Sequence, residues 1–144
     1  MVIACDTSFL FSLYGSDRHS ERAVSFISTI AVPLRLTTLT QFEFGNALRF
    51  AEFRKVLKSG EALQHRTRFE VAISQGRLIV ENCNLADVVE VADRLSAMRT
   101  LLGGHRGFDI LHVAGALKLK ATHFLTFDHN QKKLAEAEGL IVPL

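Results

Sequence analysis

Near its start the chain reads Val2-Ile3-Ala4-Cys5-Asp6-Thr7-Ser8, a short apolar run that leads directly into polar residues. Because the run shows no alternation of apolar and polar residues, it predicts a strand that is buried on both faces. Such strands are typical of parallel sheets, whose two faces are covered by helices. Asp6 therefore follows the end of the first strand, and residues 7–14 predict a short helix after it.

The remainder of the chain continues this alternation of short apolar runs and longer amphipathic stretches. Further strands are predicted at residues 33–37, 77–80, 123–127 and 140–142, and further helices at residues 19–30, 38–55, 59–76, 85–102, 108–118 and 130–138. Strands that alternate with helices indicate an α/β fold with a parallel central sheet. The helix at 38–55 is expected to be capped by Thr38 or Thr40 and to carry an apolar set of Phe42, Phe44, Ala47, Leu48 and Ala51. The 144 residues fit a single domain over residues 1–144.

The composition limits the classes of protein that need be considered. With 17 Lys and Arg against 15 Asp and Glu, the net charge of +2 is too small to indicate a nucleic-acid partner by itself. Cys5 and Cys83 belong to no CxxC pair or Cys/His cluster, so unreactive thiols in a reducing compartment are predicted, and no zinc site. No apolar stretch approaches the ~20 residues that span a bilayer, and no secretory signal is recognisable. A cytoplasmic location without membrane association is therefore expected.

Four acidic residues stand at the ends of predicted elements: Asp6, Glu43, Asp109 and Asp128. Two of them directly follow strands, and the other two lie in the first turns of helices. In a parallel sheet the carboxyl ends of the strands and the starts of the crossover helices share one edge, so we expect these side chains to converge there. Carboxylates gathered in one place repel each other, and a hard cation such as Mg²⁺ or Mn²⁺ relieves that repulsion. Such a cation also activates water and neutralises charge on a phosphodiester.

The motifs that contain these acids resemble those of the PIN domain. In order along the whole chain they are Asp6-Thr7-Ser8, Glu43-Phe44-Gly45-Asn46-Ala47-Leu48, Arg106-Gly107-Phe108-Asp109-Ile110-Leu111-His112-Val113-Ala114, Phe124-Leu125-Thr126-Phe127-Asp128 and Leu134-Ala135-Glu136-Ala137-Glu138-Gly139-Leu140. The resemblance implies a three-layer α/β/α fold with a central parallel sheet in the order 3-2-1-4-5. It also implies that the metal-binding and catalytic groups are Asp6, Glu43, Asp109 and Asp128. The family's hydroxyl position corresponds to Thr126, and less closely to Thr7 or Ser8.

Short PIN proteins of this length are most similar to the VapC toxins of toxin–antitoxin pairs. That resemblance implies a Mg²⁺- or Mn²⁺-dependent endoribonuclease that cleaves RNA, forms a homodimer and is silenced by a protein antitoxin. The main alternative is a catalytically silent PIN module that binds RNA or a protein partner. An aspartyl-phosphate receiver or a haloacid-type hydrolase is disfavoured, because the latter often carries Asp-x-Asp after its first strand and this chain has Asp6-Thr7-Ser8.

Simpler structural roles are open for several of these residues. Asp6 fits the N-cap of the next helix, and Asp109 and Asp128 stand at helix starts, where an acid either caps the helix or interacts favourably with its dipole. A buried Glu43 requires a partner, which is either a metal or a salt bridge. Asn46 follows Glu43 by one helical turn, so it is expected either to hydrogen-bond with Asp6 or the first strand or to contact substrate.

The basic residues also allow more than one interpretation. Residues 49–68 carry an excess of four positive charges, which include Arg49, Arg54 and Lys55. These side chains are candidates for RNA contacts, but a solvated helix face or contacts with an acidic antitoxin segment explain them as well. Arg106 is expected to pair either with a phosphate of the RNA or with a nearby acid. His112 is predicted to be a hydrogen-bonded core histidine in preference to a catalytic one.

Overall fold

A computed structural model describes residues 1–144. Strands and helices alternate along the chain, as the sequence predicts. The strands are β1 (Ile3–Cys5), β2 (Leu34–Thr37), β3 (Leu78–Glu81) and β4 (His123–Leu125). The helices are α1 (Thr7–Tyr14), α2 (Ser20–Ile27), α3 (Thr38–Phe53), α4 (Glu61–Ser74), α5 (Leu85–Gly103), α6 (Gly107–Lys118) and α7 (His129–Ala137). None of them combines the length and the hydropathy that a bilayer-crossing helix needs.

The strands form one parallel sheet in the order β3-β2-β1-β4. Ile3 of β1 pairs with Leu34 on one side and with His123 on the other. Successive side chains of a strand point to opposite faces, so Ile3 and Cys5 enter a core shared with α1, α3 and α4, whereas Ala4 enters a second core shared with α5, α6 and α7. Helices therefore cover both faces of the sheet, and the predicted α/β/α class is confirmed.

The predicted fifth strand at residues 140–142 is reduced to a single bridge. Ile141 pairs in parallel with His123 at the outer edge of β4. Its amide donates to the Thr122 carbonyl at 3.0 Å, and its carbonyl accepts from the Phe124 amide at 2.9 Å. The next hydrogen bond of this ladder would need an amide hydrogen on Pro143, which has none. The order 3-2-1-4-5 is therefore corrected to 3-2-1-4 with one bridge beyond β4.

Two other boundaries differ from the prediction for local reasons. β4 ends at Leu125 because the next residues turn towards α1, where the Phe127 amide donates to Ser8 Oγ at 3.1 Å. The N-cap of α3 is Thr37, in place of the predicted Thr38 or Thr40. Thr37 Oγ1 accepts from the Thr40 amide at 3.3 Å. A residue that ends a strand and caps the following helix belongs to both elements, and the two patterns overlap in the sequence.

Helix α3 buries a narrower face than its predicted apolar set suggests. The buried residues are Thr40, Phe44, Gly45 and Leu48. Phe42 was predicted to be part of the apolar set, but it is 63% exposed. Residues two apart on a helix point about 200° apart, so Phe42 and Phe44 cannot both face the core.

A glycine in α6 allows this helix to pack closely against the end of β2. A Cβ added to Gly115 would lie 2.8 Å from Thr37 Cγ2, closer than carbon atoms normally approach. We expect Gly115→Ala to lower the free energy of unfolding by about 1–2 kcal/mol, because the cost of overpacking exceeds the gain in helix propensity. Urea denaturation measures this change. Gly107 in the same helix has open space around it, so Gly107→Ala is the matched control, and equal stability of the two variants would contradict the prediction.

Candidate metal-binding site

A polar depression of about 280 Å³ opens at the carboxyl ends of β1 and β4. The starts of α1, α3, α6 and α7 surround it, as expected for the strand-end edge of a parallel sheet. Its lining residues are Asp6, Thr7, Ser8, Phe11, Glu43, Ala47, Arg106, Asp109, His112, Asp128 and Gln131. The structure thus brings together the four carboxylates that the sequence predicted to converge.

Asp6 is the most buried of the four acids, with only 2% of its surface exposed. Its carboxylate accepts hydrogen bonds from Thr126 Oγ1 at 2.6 Å, from Ser8 Oγ at 2.8 Å and from the Phe9 amide at 2.9 Å. Burial raises the pKa of Asp6 to about 6, although these hydrogen bonds favour the charged form. A cation beside Asp6 would favour ionisation of this carboxyl group.

Glu43 is held by two side chains from other helices. Thr7 Oγ1 donates to its carboxylate at 2.6 Å, and His112 Nε2 bonds to the same oxygen. Partial burial acts to raise the pKa of Glu43, but the hydrogen bonds from His112 and Thr7 and nearby positive charge outweigh it, so this pKa lies below its usual value. His112 Nδ1 lies 3.2 Å from Thr40 Oγ1. The contacts of the two ring nitrogens with Glu43 and Thr40 hold the imidazole in place, and the contact with Nε2 holds the Glu43 carboxylate.

The environment of His112 combines the two interpretations drawn from the sequence. The residue is buried and hydrogen-bonded, as predicted for a core histidine. His112 nevertheless also lines the depression, where it is hydrogen-bonded to Glu43. The spacing Asp109-x-x-His112 on one helix was the available signal, because residues three apart share a helix face.

Arg106 bridges the two remaining acids. Its Nε donates to Asp109 Oδ2 at 2.9 Å, and its Nη2 lies 3.5 Å from Asp128 Oδ2. The hydrogen bond and negative charge of Asp109 raise the pKa of Arg106, with a further contribution from Asp128. The Arg106 side chain is 76% exposed, so this pairing lies at the open mouth of the depression. Of the two partners predicted for Arg106, a phosphate or a nearby acid, the structure shows the acid.

Two of the acids are also helix caps. Asp6 Oδ1 accepts from the Phe9 amide at the start of α1, and Asp128 Oδ1 accepts from the Gln131 amide, at 2.8 Å, at the start of α7. Asp109 lies in the first turn of α6 without capping it. The capping interpretation is thus confirmed for Asp6 and Asp128. Each cap uses one carboxylate oxygen of these residues.

The donor set suits a hard cation, although no preformed cage is present. No three acidic, histidine or cysteine side chains lie close enough together to enclose an ion. Mg²⁺ commonly retains several waters and binds through one or two carboxylates, so it does not require a cage of protein ligands. The depression offers oxygen donors, with His112 already engaged by Glu43 and a single arginine, Arg106, against four acids. Residues that would hold a divalent ion are therefore present.

Four residues that were predicted to support the acids or to contact RNA do not line the depression. Asn46 is exposed and makes no side-chain hydrogen bond, so the predicted bond to Asp6 or β1 is wrong. Asn46 lies about 60° around α3 from Glu43, on the side of the helix that faces solvent. Arg49, Arg54 and Lys55 do not line the depression, since they lie further along α3 and just beyond it.

Gln131 is a polar lining residue that was not predicted from the sequence. It is 2% exposed, and its Nε2 donates to the Asp109 carbonyl at 3.2 Å. The spacing Asp128-x-x-Gln131 resembles a capping box, which was the signal available in the sequence. The Gln131 side chain thus links the starts of α6 and α7, where Asp109 and Asp128 lie.

Comparison with known proteins agrees with this architecture. The family model of the PIN domain matches residues 3–137. The chain belongs to the PIN domain family. PIN domains are generally nucleases, and PIN nucleases generally use divalent metals. No match was found among curated protein sequences.

Solved structures share the PIN fold at low sequence identity. VapBC2 from Rickettsia felis, bound to a DNA fragment from its promoter, gives a TM-score of 0.65 at 14% identity, covering 99% of this chain and 97% of that one. FitAcB from Neisseria gonorrhoeae gives 0.63 at 15% identity, covering 98% and 96%. PAE2754 from Pyrobaculum aerophilum gives 0.57 at 19% identity, covering 99% and 89%. These similarities extend over nearly the whole of each chain and concern the fold.

Proposed function

We propose that this PIN domain is a divalent-metal-dependent endoribonuclease. The observation that carries the proposal is the depression lined by Asp6, Glu43, Asp109 and Asp128 at the strand-end edge of the sheet. A surplus of negative side chains in one cleft raises the free energy of the metal-free protein, and a bound cation lowers it. Membership of a family whose members are generally nucleases supports the same assignment.

The residues of the depression divide into ligands and groups that orient them. When bound, Mg²⁺ or Mn²⁺ supplies an activated water and neutralises charge on the phosphodiester. Ser8 and Thr126 fix the direction of the Asp6 carboxylate, and His112 with Thr7 fixes that of Glu43. Groups that are held in place before substrate arrives lower the cost of reorganisation in the transition state.

Arg106 has a different part in this proposal. Its guanidinium is exposed at the mouth of the depression and carries a forked set of donors that suits phosphate. In the metal-free protein it pairs with Asp109 and Asp128. An RNA phosphate at the mouth would lie within reach of the same side chain, which then balances charge on the substrate.

We further propose that the chain is the toxin of a toxin–antitoxin pair in the cytoplasm. The motif resemblance to VapC toxins supports this, as does the fold that the chain shares with VapBC2 and FitAcB. The expected partners are RNA as substrate, a protein antitoxin as inhibitor and a second copy of the chain in a homodimer.

Metal binding separates this proposal from the catalytically silent PIN module. Calorimetric titration of the metal-free protein with Mn²⁺ should show saturable binding, and RNA cleavage should appear with Mg²⁺ or Mn²⁺ and stop on addition of EDTA. Binding is expected to weaken strongly in Asp6→Asn. A wild-type protein that binds no Mn²⁺ and leaves RNA intact would support the silent module and contradict the nuclease.

A further inference from the structure

One stripe of α3 leads from the acidic depression to an exposed basic end. Glu43, Ala47, Phe50 and Arg54 follow each other at spacings of four, three and four residues, so they lie on one face of the helix. Glu43 and Ala47 line the depression. Phe50 lies two turns beyond Glu43, about 10 Å along the helix axis, and Arg54 directly follows the last residue of the helix. A polymer bound with one unit at the acids would pass over this stripe.

Aromatic rings stand exposed along this part of the molecule. Phe50 is 54% exposed and Phe53 is 80% exposed. Their rings are stacked, with centroids 6.1 Å apart and planes at 23°. The Arg54 guanidinium lies 5.7 Å from the centre of the Phe50 ring. Phenylalanine has no polar group that gains from water, so two adjacent exposed rings indicate a surface that is covered by a partner.

The cations around these rings have no acidic partners. Arg49, Arg54 and Lys55 form no ion pair. The nearby acids are engaged with the backbone instead: Glu52 accepts from the Ala62 amide at 3.0 Å, and Glu61 accepts from the Lys58 amide at 2.7 Å. The three cations of this surface are therefore free of ion pairs within the chain.

Charge decides which partner fits this surface. In a dimer whose two-fold axis passes through this patch, the arginines and lysine of one copy would lie against those of the other. A single-stranded nucleic acid meets both requirements at once, because its bases stack on aromatic rings and its phosphates pair with cations. The α3 face, defined here as Arg49, Phe50, Phe53, Arg54 and Lys55, has both kinds of group side by side. Arg54 lies over the Phe50 ring, and Arg49 and Lys55 line one shallow depression together with Phe53.

We infer that the α3 face binds an unpaired stretch of the RNA substrate, next to the nucleotide that occupies the acidic depression. Bases stack on Phe50 and Phe53, and the flanking phosphates pair with Arg49, Arg54 and Lys55. The inference deepens the proposed ribonuclease function and rests on it for the identity of the ligand.

Binding measured without catalysis tests this inference. Fluorescence anisotropy in EDTA follows a short labelled single-stranded RNA as it binds the full-length chain. The double variant Phe50→Ala/Phe53→Ala should bind this RNA about ten- to a hundredfold more weakly, because each lost ring removes a stacking contact. Phe50→Trp/Phe53→Trp should retain wild-type affinity. Leu85 of α5 is also 54% exposed but lies in the opposite helix layer, so Leu85→Ala is the matched control and should bind as the wild type does.

The possible outcomes distinguish this inference from the nuclease proposal. Wild-type affinity in the Phe50→Ala/Phe53→Ala variant would overturn the inference, whether or not the wild-type protein cleaves RNA. A wild-type dimer that this variant converts to monomers at unchanged RNA affinity would assign the face to a second copy and also overturn it. Weakened RNA binding in EDTA would uphold the inference. Absence of metal-dependent cleavage by the wild type would then count against the nuclease proposal alone.

Discussion

Replacing Asp109 by Asn is expected to reduce metal-dependent RNA cleavage by about a thousandfold while the protein remains folded. A metal ligand contributes several kcal/mol of charge stabilisation in the transition state, and about 4 kcal/mol corresponds to three orders of magnitude in rate. Asp109 caps no helix, and its side chain makes one hydrogen bond, to the exposed Arg106. The substitution should therefore cost little stability. Cleavage of labelled RNA at saturating Mg²⁺ measures the rate, and circular dichroism checks the fold.

The chain provides a closely matched control for this variant. Asp87 occupies the same position in the first turn of α5 that Asp109 occupies in α6. It also pairs with a cation, since Lys118 Nζ lies 3.5 Å from its carboxylate. Asp87→Asn thus removes the same helix-dipole interaction and a comparable ion pair, but outside the depression. Equal activity of the two variants would mean that Asp109 serves its helix and not catalysis.

The convergence of the acids could be predicted because it follows from topology alone. Asp6 and Asp128 follow parallel strands, and Glu43 and Asp109 lie in the first turns of crossover helices. The common edge was therefore implied before any side-chain position was known. The predicted fifth strand is reduced to a bridge at Ile141 because Pro143 has no amide hydrogen to continue the ladder. A hydrophobic pattern does not reveal this. Patterns that repeat along the chain were therefore predictable, whereas a single hydrogen bond was not.

The partners of the acids were harder to predict than their location. The bonds from His112 and Thr7 to Glu43 depend on the angle between α1, α3 and α6, which is set by packing. The partners of Arg106 were equally hard to predict, because its long, exposed side chain can reach either an acid or solvent. Exposed aromatic residues cause a different error. Phe42 was predicted to belong to the apolar face of α3, but it lies at the surface.

Asp6→Asn is expected to stabilise the metal-free protein at neutral pH. The pKa of Asp6 rises from an ordinary 3.8 to about 6 on folding, chiefly because the carboxyl group is buried. Between these two values the folded chain binds more protons than the unfolded chain, so this group lowers stability as pH rises from about 4 to 6, and stability stays low above that range. An asparagine carries no charge to bury. It keeps an oxygen for the Phe9 amide and gains an NH₂ group for Thr126 Oγ1.

The expected gain is about 2–3 kcal/mol above pH 7 and little near pH 4, because one pKa unit corresponds to 1.36 kcal/mol. Urea denaturation in EDTA at both pH values measures it. Asp93 is exposed and makes no hydrogen bond, so Asp93→Asn should leave stability unchanged at either pH. Saturating Mn²⁺ should then stabilise the wild type alone, by about 3 kcal/mol at a hundred times its dissociation constant, and remove the advantage of the variant. A gain of the same size at pH 4 and pH 7.5 would show that burial of the Asp6 charge is not its cause.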